Sequence, residues 1–252
     1  MKRSDAVKIN LETYQRVELV MMKNRQEASI FMNVDLHCED LTAYLKEKEI
    51  TLFSYFIYAC LKTVELHPEL NRFVMGNHLY SHNDLSLSTL VKQDKGTDGN
   101  SVLVKWTFDS GMTIDQVQTQ VQKSIFSIRD RQSGNSDNFF VWMKYFPTFL
   151  LRAVIAIGRI LDNFNLLPAS IIRDEPLHTG AVVANLGSIG LRAPFHHLYD
   201  WGTASVFIVM GKMDDHSNMQ VTFTIDERIA EGVIFARALT TFQSLMENPY
   251  EN

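Results

Sequence analysis

The chain has 252 residues, of which 46% are hydrophobic, 21% charged and 11% aromatic, which supplies a sizeable core and excludes a disordered chain. A net charge of −5 without a basic block argues against nucleic acid as a partner. Cys38 and Cys60 stand without the second pair that a zinc site or disulfide framework needs, so both read as buried thiols in a reducing compartment.

Met1 to Asp5 leads into mixed polar sequence with no signal-peptide apolar run, which points to the cytoplasm. Ser29 to Leu36 alternates, with Ile30, Met32, Val34 and Leu36 on one side, as a half-buried strand does. A short helix is expected from Asp40 to Lys48. Phe53, Phe56, Ile57, Cys60, Leu61 and Val64 then recur at three- and four-residue spacing until His67-Pro68, the pattern of a core-facing helix.

Leu85 to Val91 and Val102 to Phe108 read as strands around a glycine-containing turn at 95–100. Thr113 with Gln116 predicts a capping box for a helix carrying Ile114, Val117, Val121, Ile125 and Ile128 on one stripe. The apolar segment Tyr145 to Ile172 is broken by Pro147, Arg152, Arg159, Asp162 and Pro168. It therefore reads as carrying a helix, from about Pro147 to Leu161, that is buried or faces a partner, not as a membrane span. Strands at 181–186, 204–210 and 219–226 precede a closing helix from Gly232 to Met246. No Pro/Gly/Ser-rich stretch or charge block divides the chain, so residues 1–252 are expected to form one domain. The irregular mixture of helices and strands favours an α/β sandwich with a mixed sheet.

Four segments, taken in order, are similar to the chloramphenicol acetyltransferases and the catalytic cores of 2-oxoacid dehydrogenase acyltransferases. Leu11-Glu12-Thr13-Tyr14-Gln15-Arg16 resembles the leucine, aromatic and arginine box that opens the acetyltransferases. Phe53 to Asn71, ending His67-Pro68-Glu69-Leu70-Asn71, resembles the first long helix and its exit. Val183-Ala184-Asn185-Leu186-Gly187 resembles the Ser-Asn-Leu-Gly strand and turn, and Asp226-Glu227-Arg228-Ile229-Ala230-Glu231-Gly232 occupies the place of the Asp-His-Arg-x-x-Asp-Gly signature. The resemblance implies a chloramphenicol acetyltransferase-like two-layer sandwich. It also implies a homotrimer or a multiple of trimers with active sites between subunits, and coenzyme A or acyl-CoA as substrate with no permanently bound cofactor. The chain starts directly in this core, so no lipoyl or peripheral-subunit-binding domain is expected.

The sequence departs from that pattern where chemistry is expected. Glu227 stands at the histidine that serves as general base. A thiol with an ordinary pKa of about 8.5 and a carboxylate of about 4.3 are mismatched by about four units, roughly 5–6 kcal/mol of uphill proton transfer, unless burial narrows the gap. The serine that stabilises the oxyanion is Ala184, and the position two residues earlier is Val182; losing one such donor typically costs about 10²–10³ in rate. Ser188 and Thr179 lie nearby but out of register. By the resemblance Arg16 and Glu231 fall where a buried arginine–carboxylate pair holds the catalytic loop, and Asp226 reads as a strand-end acid that satisfies backbone donors.

His196-His197-Leu198-Tyr199-Asp200-Trp201-Gly202 nearly spells a His-His-x-x-x-Asp-Gly motif, with its aspartate one position early and its place before the penultimate strand rather than before the last helix. These are ordinary loop histidines or a surrogate base. A two-histidine metal site lacks a third identifiable ligand, and no metal is expected. Two functions follow: an acyltransferase passing an acyl group between CoA and a thiol, hydroxyl or amine acceptor, using Glu227, His196 or His197; or an inactive trimeric binding or scaffold protein of the same fold. Neither a membrane nor nucleic acid is expected as a partner.

Overall fold

The protein is described from a computed structural model covering residues 3–92, 101–130 and 147–251. Its centre is a six-stranded mixed sheet. Strands β2 (Ser29–His37), β5 (Leu85–Lys92), β6 (Ser101–Phe108), β7 (Ala181–Asn185), β8 (Val206–Met213) and β9 (Asn218–Asp226) lie in the order β2-β9-β8-β7-β5-β6. The β7 pairings with β5 and β8 are parallel and the others antiparallel, so the expected mixed sheet is present. The glycine-containing turn expected at 95–100 lies outside the described residues.

One face of this sheet carries helices. Along β9, Val221, Phe223 and Ile225 point into the main core, while Thr222, Thr224 and Asp226 take the opposite face, as strand alternation requires. Helix α3 (Leu52–Leu66) is opened by Thr51, whose hydroxyl accepts from the Ser54 N–H at 3.2 Å. It packs against the last helix, α7 (Gly232–Glu247), through an edge-to-face contact of Phe56 with Phe242. Helix α2 (Glu39–Glu47) flanks them. In α4 (Ile114–Asp130) the predicted capping box is made: Gln116 accepts from the Thr113 N–H at 2.9 Å, and Thr113 accepts from the Gln116 N–H at 3.4 Å. Cys38 and Cys60 are both buried, and burial pushes the Cys38 thiol up to about 12.

The opposite face is covered by residues 191–204, with Ala193, Leu198 and Ala204 packed on Val182, Phe207 and Val209. A second, three-stranded sheet, β1 (Ala6–Lys8), β4 (His78–His82) and β3 (Arg72–Met75), is not anticipated by the sequence pattern. Neither is helix α1 (Thr13–Met21), which carries Thr13 to Arg16 of the arginine box. Helix α5 (Thr148–Asn163) and the short α6 (Ala169–Asp174) occupy most of the apolar segment. Within this chain α5 leaves Phe149, Val154, Ile155, Ile157 and Ile160 exposed. Among the described residues no helix is long and apolar enough to cross a membrane.

Candidate active site at the end of the central sheet

Strand β9 ends at Asp226, which is fully buried at an apolar strand terminus and therefore needs its charge met. The Arg228 guanidinium grips it bidentately, with Nε 2.8 Å from Oδ1 and Nη2 2.7 Å from Oδ2. The Arg228 backbone N–H donates to Oδ1 as well, at 3.2 Å, so the backbone-satisfying role read for this acid is present. A second cation, buried Arg25, brings its Nε to 4.0 Å from Asp226 Oδ2 and donates from Nη1 to the Tyr199 carbonyl at 3.0 Å. Arg228 Nη1 donates to the Met22 carbonyl at 3.0 Å. Three chain segments, the turn after α1, the 196–201 loop and the 226–231 turn, are thereby tied to one carboxylate.

The two members of the expected Arg16–Glu231 pair lie on the surface of the chain. Arg16, on α1, and Glu231, which precedes α7, are both exposed and share no ion pair within the chain. The buried arginine–carboxylate link to the turn is made by Arg25 and Asp226. Arg25 follows α1 by four residues and so reaches the sheet end, whereas Arg16 lies on an outward-facing turn of that helix.

Glu227 begins a short 3₁₀ turn and is exposed; its backbone N–H donates to the Ala28 carbonyl at 2.9 Å. Ala184 lies level with Val209 and, through it, with Thr222. Five residues of β9 direction separate Thr222 from Glu227, about 16 Å at strand rise, and two strand spacings add about 10 Å laterally. The two positions cannot act on one bond within a single chain. Thr179 is fully buried, its hydroxyl donating to Ser86 Oγ at 3.2 Å, and Ser188 donates to the Asn185 carbonyl at 2.8 Å. Gly187 is required here, because a Cβ would come within 2.5 Å of the Gly211 carbonyl oxygen.

His196 lies against the same sheet face as Asp226. Its ring stacks on Phe207 with centroids 3.9 Å apart at 10°, and on His197 at 4.5 Å. Its Nδ1 is 2.8 Å from the His197 carbonyl oxygen. Burial holds the His196 ring below its ordinary value of 6.5. His197 is exposed. Thr224, the register partner of Phe207, has a buried hydroxyl with no hydrogen-bond partner among the described residues.

Sequence reasoning missed Arg25 and a second buried cluster. His178 is held between Asp162, 2.9 Å from Nε2, and Glu175, 2.7 Å from Nδ1. Asp162 also accepts from Arg3 Nη1 at 2.6 Å, and Arg3 Nε donates to Asp5 at 2.8 Å. Burial alone would press the His178 ring down, but the two carboxylates lift it above its ordinary value. Arg3, Asp162 and His178 come from three distant segments, and only the fold gathers them. Among the described residues no group of three or more His, Cys, Asp or Glu side chains is arranged to hold a metal ion.

No protein-family model matches the sequence, and no curated protein matches it. Solved structures do match over nearly the whole chain. A probable dihydrolipoamide acetyltransferase from Listeria monocytogenes 4b F2365 is 13% identical, with a TM-score of 0.57, over 95% of this chain and 94% of that one. A chloramphenicol acetyltransferase is 12% identical, with a TM-score of 0.59, over 96% and 100%. The cubic core of a pyruvate dehydrogenase multienzyme complex is 12% identical, with a TM-score of 0.60, over 94% and 87%. The chain therefore has an acyltransferase fold. More particularly, it has the chloramphenicol acetyltransferase-like sandwich found in 2-oxoacid dehydrogenase acyltransferase cores.

Proposed function

We propose that the protein transfers an acyl group between coenzyme A and a thiol, hydroxyl or amine acceptor, with His196 as general base. The observation that carries this reading is the 2.8 Å contact of His196 Nδ1 with the His197 carbonyl. A carbonyl oxygen only accepts, so Nδ1 bears the hydrogen and Nε2 keeps its lone pair. The depressed pKa keeps the imidazole neutral at neutral pH, the form that takes a proton. In the forward step Nε2 removes the acceptor's proton as the acceptor attacks the thioester carbonyl. Collapse of the tetrahedral intermediate expels the CoA thiolate, which recovers that proton. Asp226 and Arg25 position the 196–201 loop through the Tyr199 carbonyl.

Glu227 and His197, the other two candidates, are exposed side chains, whereas His196 is half-buried against Phe207. The separation of Ala184 from Glu227 and the exposed apolar side chains on α1 and α5, including Val17, Val20, Phe149 and Ile157, support assembly into a trimer or a multiple of three. Coenzyme A is here a substrate, and the cytoplasm is the compartment we assign.

Turnover of acetyl-CoA with thiol, hydroxyl and amine acceptors tests the proposal. His196→Asn is expected to lower kcat/KM by about 10²–10⁴, with Glu227→Gln within about threefold of wild type. The loss of the two hydroxyl positions, at Ala184 and Val182, favours the inactive scaffold as a second reading. It is the correct one if wild type shows no transfer above background with several acyl-CoA donors.

A further inference from the structure

A cleft of about 760 Å³ opens between the small sheet, the end of α5 and the 200–202 loop, a size suited to a small organic ligand. Five cations line it, Lys8, Lys23, Arg25, Arg159 and Arg228, against two acids, Asp162 and Asp200. Asp162 is already met by Arg3 and His178. Asp226, behind the wall, is shared by both Arg25 and Arg228, so this buried trio carries one net positive charge, which Asp200 and Asp162 reach only through space. Lys8, Lys23 and Arg159 enter no ion pair among the described residues. Arg25 is only 5% exposed, and its Nε has no hydrogen-bond partner among them. Burial, together with the Arg228 charge that opposes the help from Asp226, lowers the pKa of the Arg25 guanidinium, a strain that an anion would relieve.

We infer that this cleft binds the phosphate monoester group of a small organic molecule, held by Arg25, Lys23 and Arg159. A phosphate monoester carries up to two charges on three oxygens, which matches the surplus of cations and donors better than a single carboxylate. Tyr80, Trp201 and Phe164 in the same lining offer ring surfaces to the organic part. The group has two sources, a free phosphorylated metabolite or the 3′-phosphate of coenzyme A. Binding alone reads the site, so its assignment does not depend on acyl transfer.

Calorimetric titration at fixed ionic strength, using inorganic phosphate, malonate, glycerol 3-phosphate, coenzyme A and 3′-dephospho-coenzyme A, provides the test. Inorganic phosphate is expected to bind the wild-type chain. The exposed-site double variant Lys23→Ala/Arg159→Ala should bind it at least about tenfold more weakly while melting at the wild-type temperature without ligand. Equal weakening for glycerol 3-phosphate identifies a free metabolite; weakening for coenzyme A but not its dephospho form identifies the cofactor's phosphate. Unchanged phosphate affinity in the double variant, no phosphate binding up to about 20 mM, or malonate binding as tightly as phosphate overturns the inference. If the double variant fails to fold, Arg159→Gln alone is measured against the same outcomes.

Discussion

Two buried ionic clusters flank the end of the central sheet, and they are built on opposite accounts of charge. In the first, Arg3, Asp162, His178 and Glu175 alternate in sign along a chain of hydrogen bonds. Each carboxylate meets a cation on at least one side, and α5, the N-terminal segment and the strand-entry residues before β7 are fastened together. In the second, one carboxylate, Asp226, lies between two guanidiniums. The first cluster explains a joint. The second holds the 226–231 turn but leaves positive charge over, and that surplus faces a cleft. Similar side chains therefore do different work according to whether their charges close.

The largest loss of stability is expected at Asp226. Asp226→Ala strands two guanidiniums beside each other, one of them fully buried, and is expected to destabilise the chain by about 3–5 kcal/mol. Urea denaturation measures this, and a loss under about 1 kcal/mol would mean that the two arginines are not held by that acid. In the balanced cluster His178→Gln leaves Asp162 with Arg3 alone, and a loss of about 2–3 kcal/mol is expected in the same measurement.

The balanced cluster also makes a pH signature. The folded-state pKa of His178 is raised above its unfolded value, so its contribution is full below about 6.5 and is lost as pH rises through the raised value. Asp162 is the reverse. Burial alone would raise it, but His178 and Arg3 hold it below its ordinary 3.8, so its contribution is present above the unfolded value and lost as pH falls through the depressed one. Melting temperature should decline on both flanks, and His178→Gln should flatten the alkaline flank. A wild-type alkaline slope retained in His178→Gln would assign that slope to another group. The smallest effect is expected from Arg16→Ala, within about 0.5 kcal/mol of wild type because both Arg16 and Glu231 are exposed. A loss of several kcal/mol would restore the pair expected from the sequence.

Long periodic elements are legible in the amino-acid sequence. Phe53, Phe56, Ile57, Cys60, Leu61 and Val64 mark one face of α3, and the alternation of residues 29–36 marks β2, because burial of one face imposes its own period. The small sheet is not legible. Its strands have three to five residues, too few to show a period, and its pairs, such as Ala6 with His82, join distant segments. Arg25 is not legible for a related reason. It sits in a turn far along the chain from Asp226, and no motif position marks it. Asp226 has a better signal: an acid directly after Val221 to Ile225, a run of buried strand residues, must be paired. His178 gives none, since its partners lie on α5 and in the turn before β7.

Catalysis by the proposed route requires a neutral His196 with a free Nε2, and a pH–rate profile of acyl transfer addresses it most directly. The wild-type kcat/KM should fall on the acid side through a value below 6.5, the direction in which burial moves this ring. His196→Asn should lose both the rate and that acid limb. Retention of the wild-type rate and limb by His196→Asn would contradict the assignment of His196 as the base.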